Sequence, residues 1–298
     1  MREKFQRFLA AMAVIFILPY VIVSLGSPQV KESYGRMRAS ENFISVKTEE
    51  GIREISFEDY VCGVAAQEME KEWPLEAVKA QVVVVRTNLK KYSQDHPGSL
   101  LAEEYLTLEE MENQGILEKM VQAAEETNGE TLTVQGALVQ APYHALSSGR
   151  TRSGQEAGLG REYGWLTAVE SRQDAESEKY LFVGMAEPET VQACITAEYP
   201  GAFDKGKKQI EILERDESGY VTKVRAGSQE MTGEKFRSLL GLASSCFYIE
   251  KTGELLRITT KGLGHGLGLS LYGARRMAET GADYREILSY YFKNCIIS

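Results

Sequence analysis

Apolar residues return at helical spacing from Phe57 through Tyr60, Val61, Val64 and Ala65, and the next position on that stripe is a carboxylate, Glu68. A helix is therefore expected over the run SFEDYVCGVAAQEMEKEWP, opened by Ser56 with Asp59 three residues on, in the manner of a capping box, and ended by Trp73 and Pro74. Pro74 then suits the first turn of a second helix, with a core stripe of Leu75, Val78, Val82, Val85 and Leu89. The four consecutive valines inside it would also suit a strand, but the stripe around them is long and helix-spaced.

Elsewhere the pattern is mixed. Short strands are expected at 43–46 and 52–55, a helix-rich acidic stretch at 98–127, and a hairpin in TLTVQGALVQAPYHA turning near Gly136. Its second strand leads Tyr143 and His144 into the loop SSGRTRSGQEAGLGREYG. Further strands are expected at 220–227 and 255–260, a short helix at 233–240, and a last helix from Ser270 to Gly281. Helices and strands do not alternate as in a doubly wound fold, so the expected class is α+β, with mixed helices and short antiparallel strands.

The beginning of the chain differs from the rest. MREKFQR precedes an uncharged stretch over 8–25, long enough for a membrane span, with Arg2, Lys4 and Arg7 on the side expected to stay in the cytoplasm. A cleaved signal ending near Ser27 is the alternative; the long apolar run favours an uncleaved single-pass anchor over 1–26. A polar tether follows over 27–42, and 43–298 forms the extracytoplasmic domain. With 298 residues, 43% of them hydrophobic, the chain can bury a sizeable core as one large domain or two smaller ones. Its net charge of −9 argues against nucleic acid as a partner.

Glu68 is the first candidate for chemistry. A carboxyl group buried against an apolar wall resists ionisation, holds its proton near neutral pH and can serve as a general acid. The plainer reading is a helix end whose glutamate reaches to water. Glu72 lies nearly on the same face and is second choice. Lys79 and Arg86, seven residues apart, flank the valine stripe and would either line a groove beside Glu68 or sit solvated on the surface.

In KGLGHGLGLSLYGARRMAETG, glycines 262, 264, 266 and 268 alternate with larger residues, so an extended run would leave one side bare and put His265 on the other. A glycine loop at a helix start offers N–H donors to polar substrate oxygens; equally, it lets two backbones pack tightly in a core. His96 lies in a polar loop with no suggestive neighbour. Cys62, Cys194, Cys246 and Cys295 form no CxxC pair and indicate no disulfide framework, and two isolated histidines without nearby cysteines supply too few ligands for zinc unless carboxylates complete the set. Cys62 is expected as a small buried apolar residue.

Three segments together resemble the stage II sporulation protein D family of peptidoglycan lytic transglycosylases: YVCGVAAQEMEKEWPLEAVKAQVVVVRT, YHALSSGRTRSG and GHGLGLSLYGA, in that order. AAEETNGETLTV, WLTAVES and TGEKFRSLLGL fit between them, so the resemblance covers nearly all of the chain beyond the tether. It implies cleavage of the bond between N-acetylmuramic acid and N-acetylglucosamine without water, with Glu68, the glutamate of the Glu-Met pair, as acid and then base. It also implies that Lys79, Arg86, His144, Ser148, Thr151, His265 and Ser270 line a glycan-binding groove. The implied setting is an endospore-forming host and a membrane complex of engulfment, where a partner amidase strips peptides from the glycan strands first. Some members carry zinc on a histidine and cysteines near the second motif; here only His144 remains of that set, and no metal or other cofactor is expected. Leu271 stands where the third motif usually has glutamine, and Ala-Leu-Ser-Ser where the second usually has a polar Ser-Thr-Ser. A non-catalytic glycan-binding scaffold of the same fold is the competing reading.

Overall fold

The computed structural model describes residues 42–204 and 209–298. The expected anchor and nearly all of the tether lie outside the described residues, and among those described no helix is long and apolar enough to cross a membrane.

A hairpin of β1 (Phe43–Thr48) and β2 (Gly51–Ser56) leads directly into α1 (Phe57–Ala66). Ser56 is the N-cap residue, but the expected capping box does not form: its buried hydroxyl has no partner among the described residues. The helix entry is held instead by the Phe57 N–H, which donates to the Asn42 carbonyl at 2.9 Å. Every residue of α1 except Glu58 is buried, Cys62 among them. Pro74 is the N-cap of α2 (Leu75–Asp95), one position ahead of the expected first turn.

Helix α2 is the centre of the larger core. From Ala77 to Thr87 each residue is buried, so this stretch has no solvent face, and that explains the unbroken valines. It packs against α1, against α4 (Leu117–Glu126), which follows the short α3 (Leu108–Asn113), and against two helices from the end of the chain. The predicted hairpin is β3 (Leu132–Val134) with β4 (Ala137–Leu138); Gln135 and Gly136 both take positive φ, +52° and +80°, as a two-residue turn of this hand requires.

The next strand, β5 (Tyr143–His144), is separate from that hairpin. A second, smaller core follows. It is built from β6 (Leu181–Ala186), α5 (Pro188–Glu198), β7 (Ile210–Arg215), β8 (Val221–Ala226), β9 (Gln229–Thr232), α6 (Gly233–Leu240), β10 (Phe247–Thr252) and β11 (Leu255–Lys261). Its strands form two antiparallel sheets, β7-β8-β9 and β10-β11-β6. The chain then returns to the first core through β12 (Leu269–Ser270), α7 (Leu271–Glu279) and α8 (Tyr284–Tyr291), and ends in β13 (Ile296–Ile297), which pairs with β3. Strand β12 pairs with β5 in parallel, joining segments more than 120 residues apart. The class is α+β with short, mainly antiparallel sheets, as expected.

Candidate active site

Helix α1 ends at Ala66, two residues before the stripe reaches Glu68. Met69 donates its N–H back to the Ala66 carbonyl at 3.1 Å and buries its own side chain, which turns Glu68 outward. The expectation of a carboxyl held in an apolar wall is therefore corrected: Glu68 is exposed. It does not face open water on all sides, however. Its turn forms one wall of a cleft of about 640 Å³.

The opposite walls come from distant parts of the chain. Ala145 and Leu146 follow β5, Leu263 lies in the glycine run, and α7 presents Leu271, Tyr272, Arg275 and Arg276. Trp73 closes the Glu68 side, with the Arg275 guanidinium 5.9 Å from its ring centre. Glu70, Glu176, Glu178 and Glu279 add carboxylates. Arg275 pairs with Glu279 at 2.8 Å and Arg276 with Glu176 at 2.9 Å, whereas the Lys179 ammonium, also in the cleft, makes no ion pair among the described residues. Glu72 lies outside the cleft, near Lys119.

None of the other predicted groove residues lines this cleft. Arg86 has no exposed surface: it holds Glu58 through Nε (2.9 Å) and Nη2 (2.7 Å), and its Nη1 donates to the Thr127 carbonyl at 2.9 Å. Such a two-pronged, charge-assisted pair ties α2 to α1 and to the end of α4. Lys79 is buried between Glu76, at 2.6 Å, and Glu126. Both cations face structural carboxylates, and neither the groove nor the solvated surface considered from the sequence describes them.

The histidine loop and the glycine run are packed on each other. His144 is buried; its Nδ1 lies 2.9 Å from the Leu267 carbonyl, so that nitrogen carries the proton, and Nε2 has no partner among the described residues. His265 accepts from the Leu267 N–H through its Nδ1 at 3.0 Å, and the two rings are 5.7 Å apart. Burial, reinforced by the neighbouring His265, pushes His144 down to about 3, and burial also lowers His265. Both imidazoles are thus neutral at neutral pH.

The glycines do not form an extended strand. All four have positive φ, between +69° and +108°, and each lies against another part of the chain. A Cβ on Gly264 would stand 2.9 Å from that of His144, and one on Gly268 would strike the Pro142 carbonyl. Close backbone packing, rather than a surface for sugar oxygens, accounts for the run.

The remaining hydroxyls are fastening points. Ser148 donates to the Ser218 carbonyl at 2.8 Å, and Thr151 is buried and accepts from the Val169 N–H at 2.9 Å. Ser270 caps α7, accepting from the Gly273 N–H and donating to Asp174 at 2.8 Å. Asp174 is fully buried and was not singled out from the sequence. It also accepts from the Ser147 N–H at 2.8 Å and the Ser147 hydroxyl at 2.6 Å, so one carboxyl joins the loop after β5 to the start of α7. Burial raises its pKa against the opposing pull of these donors. No pattern in the chain marks it, whereas Tyr272, Arg275 and Glu279 recur at helical spacing after Ser270 and were open to the same stripe argument as Glu68.

Residues 45–134 match the family described as stage II sporulation protein. The chain is similar to stage II sporulation protein D of Bacillus amyloliquefaciens, 30% identical over 83% of this chain and 75% of that one. It is also similar to the protein of the same name from Bacillus subtilis, 28% identical over 84% and 76% respectively. A more distant likeness, 24% identical over 77% of this chain but 39% of the other, is to a Bacillus subtilis protein named amidase enhancer.

Proposed function

We propose that this chain, which belongs to the stage II sporulation protein D family, is a peptidoglycan lytic transglycosylase with Glu68 as its acid and base. The observation that carries the reading is the meeting of Glu68 with the second- and third-motif segments around one cleft, although at least 75 residues of chain separate it from either. In the reaction, Glu68 protonates the oxygen leaving C1 of the muramic residue. The C6 hydroxyl of the same sugar then closes on C1 and gives its proton to the glutamate, leaving a 1,6-anhydro end and restoring the acid. No water is consumed.

A glycan laid over the exposed Glu68, with sugar faces against Trp73 and Tyr272, would exclude water from the reacting bond. Lys179, which makes no ion pair among the described residues, is a cation available to a sugar carbonyl or carboxylate. The same reading puts the domain outside the cell membrane on a single-pass anchor over 1–26, in a sporulation complex with a cell-wall amidase; the likeness to an amidase enhancer supports the amidase link.

The exposure of Glu68 favours a second reading, a glycan-binding scaffold without turnover. Digestion of peptide-stripped glycan strands, followed by mass analysis of the ends, separates the two. Anhydro-muramic ends that vanish with Glu68→Gln support the enzyme. Reducing ends would indicate hydrolysis instead, and binding without cleavage would select the scaffold.

A further inference from the structure

Strand β6 is an open edge of the sheet β10-β11-β6. Its sequence, LFVGMA, carries no charge, and Leu181, Phe182, Val183 and Met185 are 52%, 39%, 50% and 50% exposed. Edge strands normally carry charge, proline or a bulge to prevent pairing with other chains. The opposite edge of this sheet, β10, has Glu250 and Lys251; β6 has no such guard.

Alternation gives the strand two faces. Leu181, Val183 and Met185 point to one side; Phe182, Gly184 and Ala186 point to the other, where Gly184 stands beside Ile258 of β11. On that inner side a mainly apolar groove of about 470 Å³ runs between β6, Val191 and Cys194 of α5, and Leu242. Gly184 leaves part of it unfilled: a Cβ there would meet nothing within 4 Å.

We infer that β6 pairs with β6 of a second copy of this chain, antiparallel about a two-fold axis at Val183. Such an axis stands perpendicular to the sheet and keeps each face on its own side, so opposed residues sum to twice 183 in number. Phe182 of one copy then lies opposite Gly184 of the other, and the protruding ring meets the position without a side chain, twice over. On the outer face Leu181 meets Met185 and Val183 meets its own counterpart. The nearest charges on the flanking strand, Arg257 and Lys261, belong to β11. The two β11 strands would lie three strand spacings apart, roughly 14 Å, which exceeds the screening length of about 8 Å at physiological salt. Self-pairing therefore brings no like charges together. A six-stranded sheet results, with both apolar edges removed from water.

Sedimentation velocity of the full chain in a non-ionic detergent, over a range of protein concentrations, tests this. The expected result is a monomer–dimer equilibrium that Val183→Lys weakens at least tenfold by setting two ammonium groups face to face at the axis. Gly184→Val, which fills the hole in open space and so leaves the monomer fold intact, is expected to weaken it as well. A wild-type chain that stays monomeric throughout, or a dimer indifferent to both substitutions, would overturn the inference.

Discussion

The turn around Glu68 and the packed loops around His144 hold comparably recognisable stretches of sequence but are built in opposite ways. Glu68 stands at the end of a helix, outward and exposed. Around His144, by contrast, Asp174 gathers donors from two segments, the histidines share Leu267, and glycines admit neighbouring backbone. The difference teaches that a motif residue can serve a site by holding its wall in place, and that sequence alone does not separate this role from contact with substrate.

The largest expected effect lies at the buried end of the contrast. Arg86→Ala leaves Glu58 and three carbonyls without their donor, and should lower unfolding free energy by about 3–5 kcal/mol in a denaturant titration. Gly268→Ala forces a side chain into a positive-φ position and against the Pro142 carbonyl. A loss of roughly 1–3 kcal/mol is expected from the backbone strain alone, visible as a lower melting temperature.

Acid should act on the same region. The folded pKa of His144 lies near 3, below its unfolded value of about 6.5, so its neutral form stabilises the fold above pH 6.5 and that stability is lost as pH falls toward 3. At pH 5 the loss relative to pH 7 should be about 2 kcal/mol. His265 shifts in the same direction, and His144→Gln should flatten the slope measured by denaturation at the two pH values. At the exposed end, Glu68→Gln should change stability by no more than about 0.5 kcal/mol, while the rate of anhydro-end formation falls by about 10²-fold or more. A large stability loss there would erase the contrast.

Local patterns in the sequence anticipate much of the fold. The valine helix, the Gln135–Gly136 turn and the helix after Ser270 are each set by residues within a few positions of one another. The stripe through Tyr60 and Val64 was legible as far as Ala65, but its end was not, because burial of Met69 against the rest of the core decides where α1 stops. Strands of two residues, such as β5 and β12, carry no periodicity at all, and the second core around Phe236 and Phe247 depends on pairings between segments far apart in sequence. Arg86 reads as a groove cation for the same reason: Glu58 and Thr127, which enclose it, are 28 and 41 residues away.

The parallel pairing of Tyr143–His144 with Leu269–Ser270 also bears on when the molecule becomes competent. Contacts spanning so much chain form late, because the loop must close before they repay its entropy. A part-folded chain can already hold Glu68 in the turn after its finished helix while the facing wall does not yet exist. The cleft is therefore complete only once the last segments of the chain have docked against the first core.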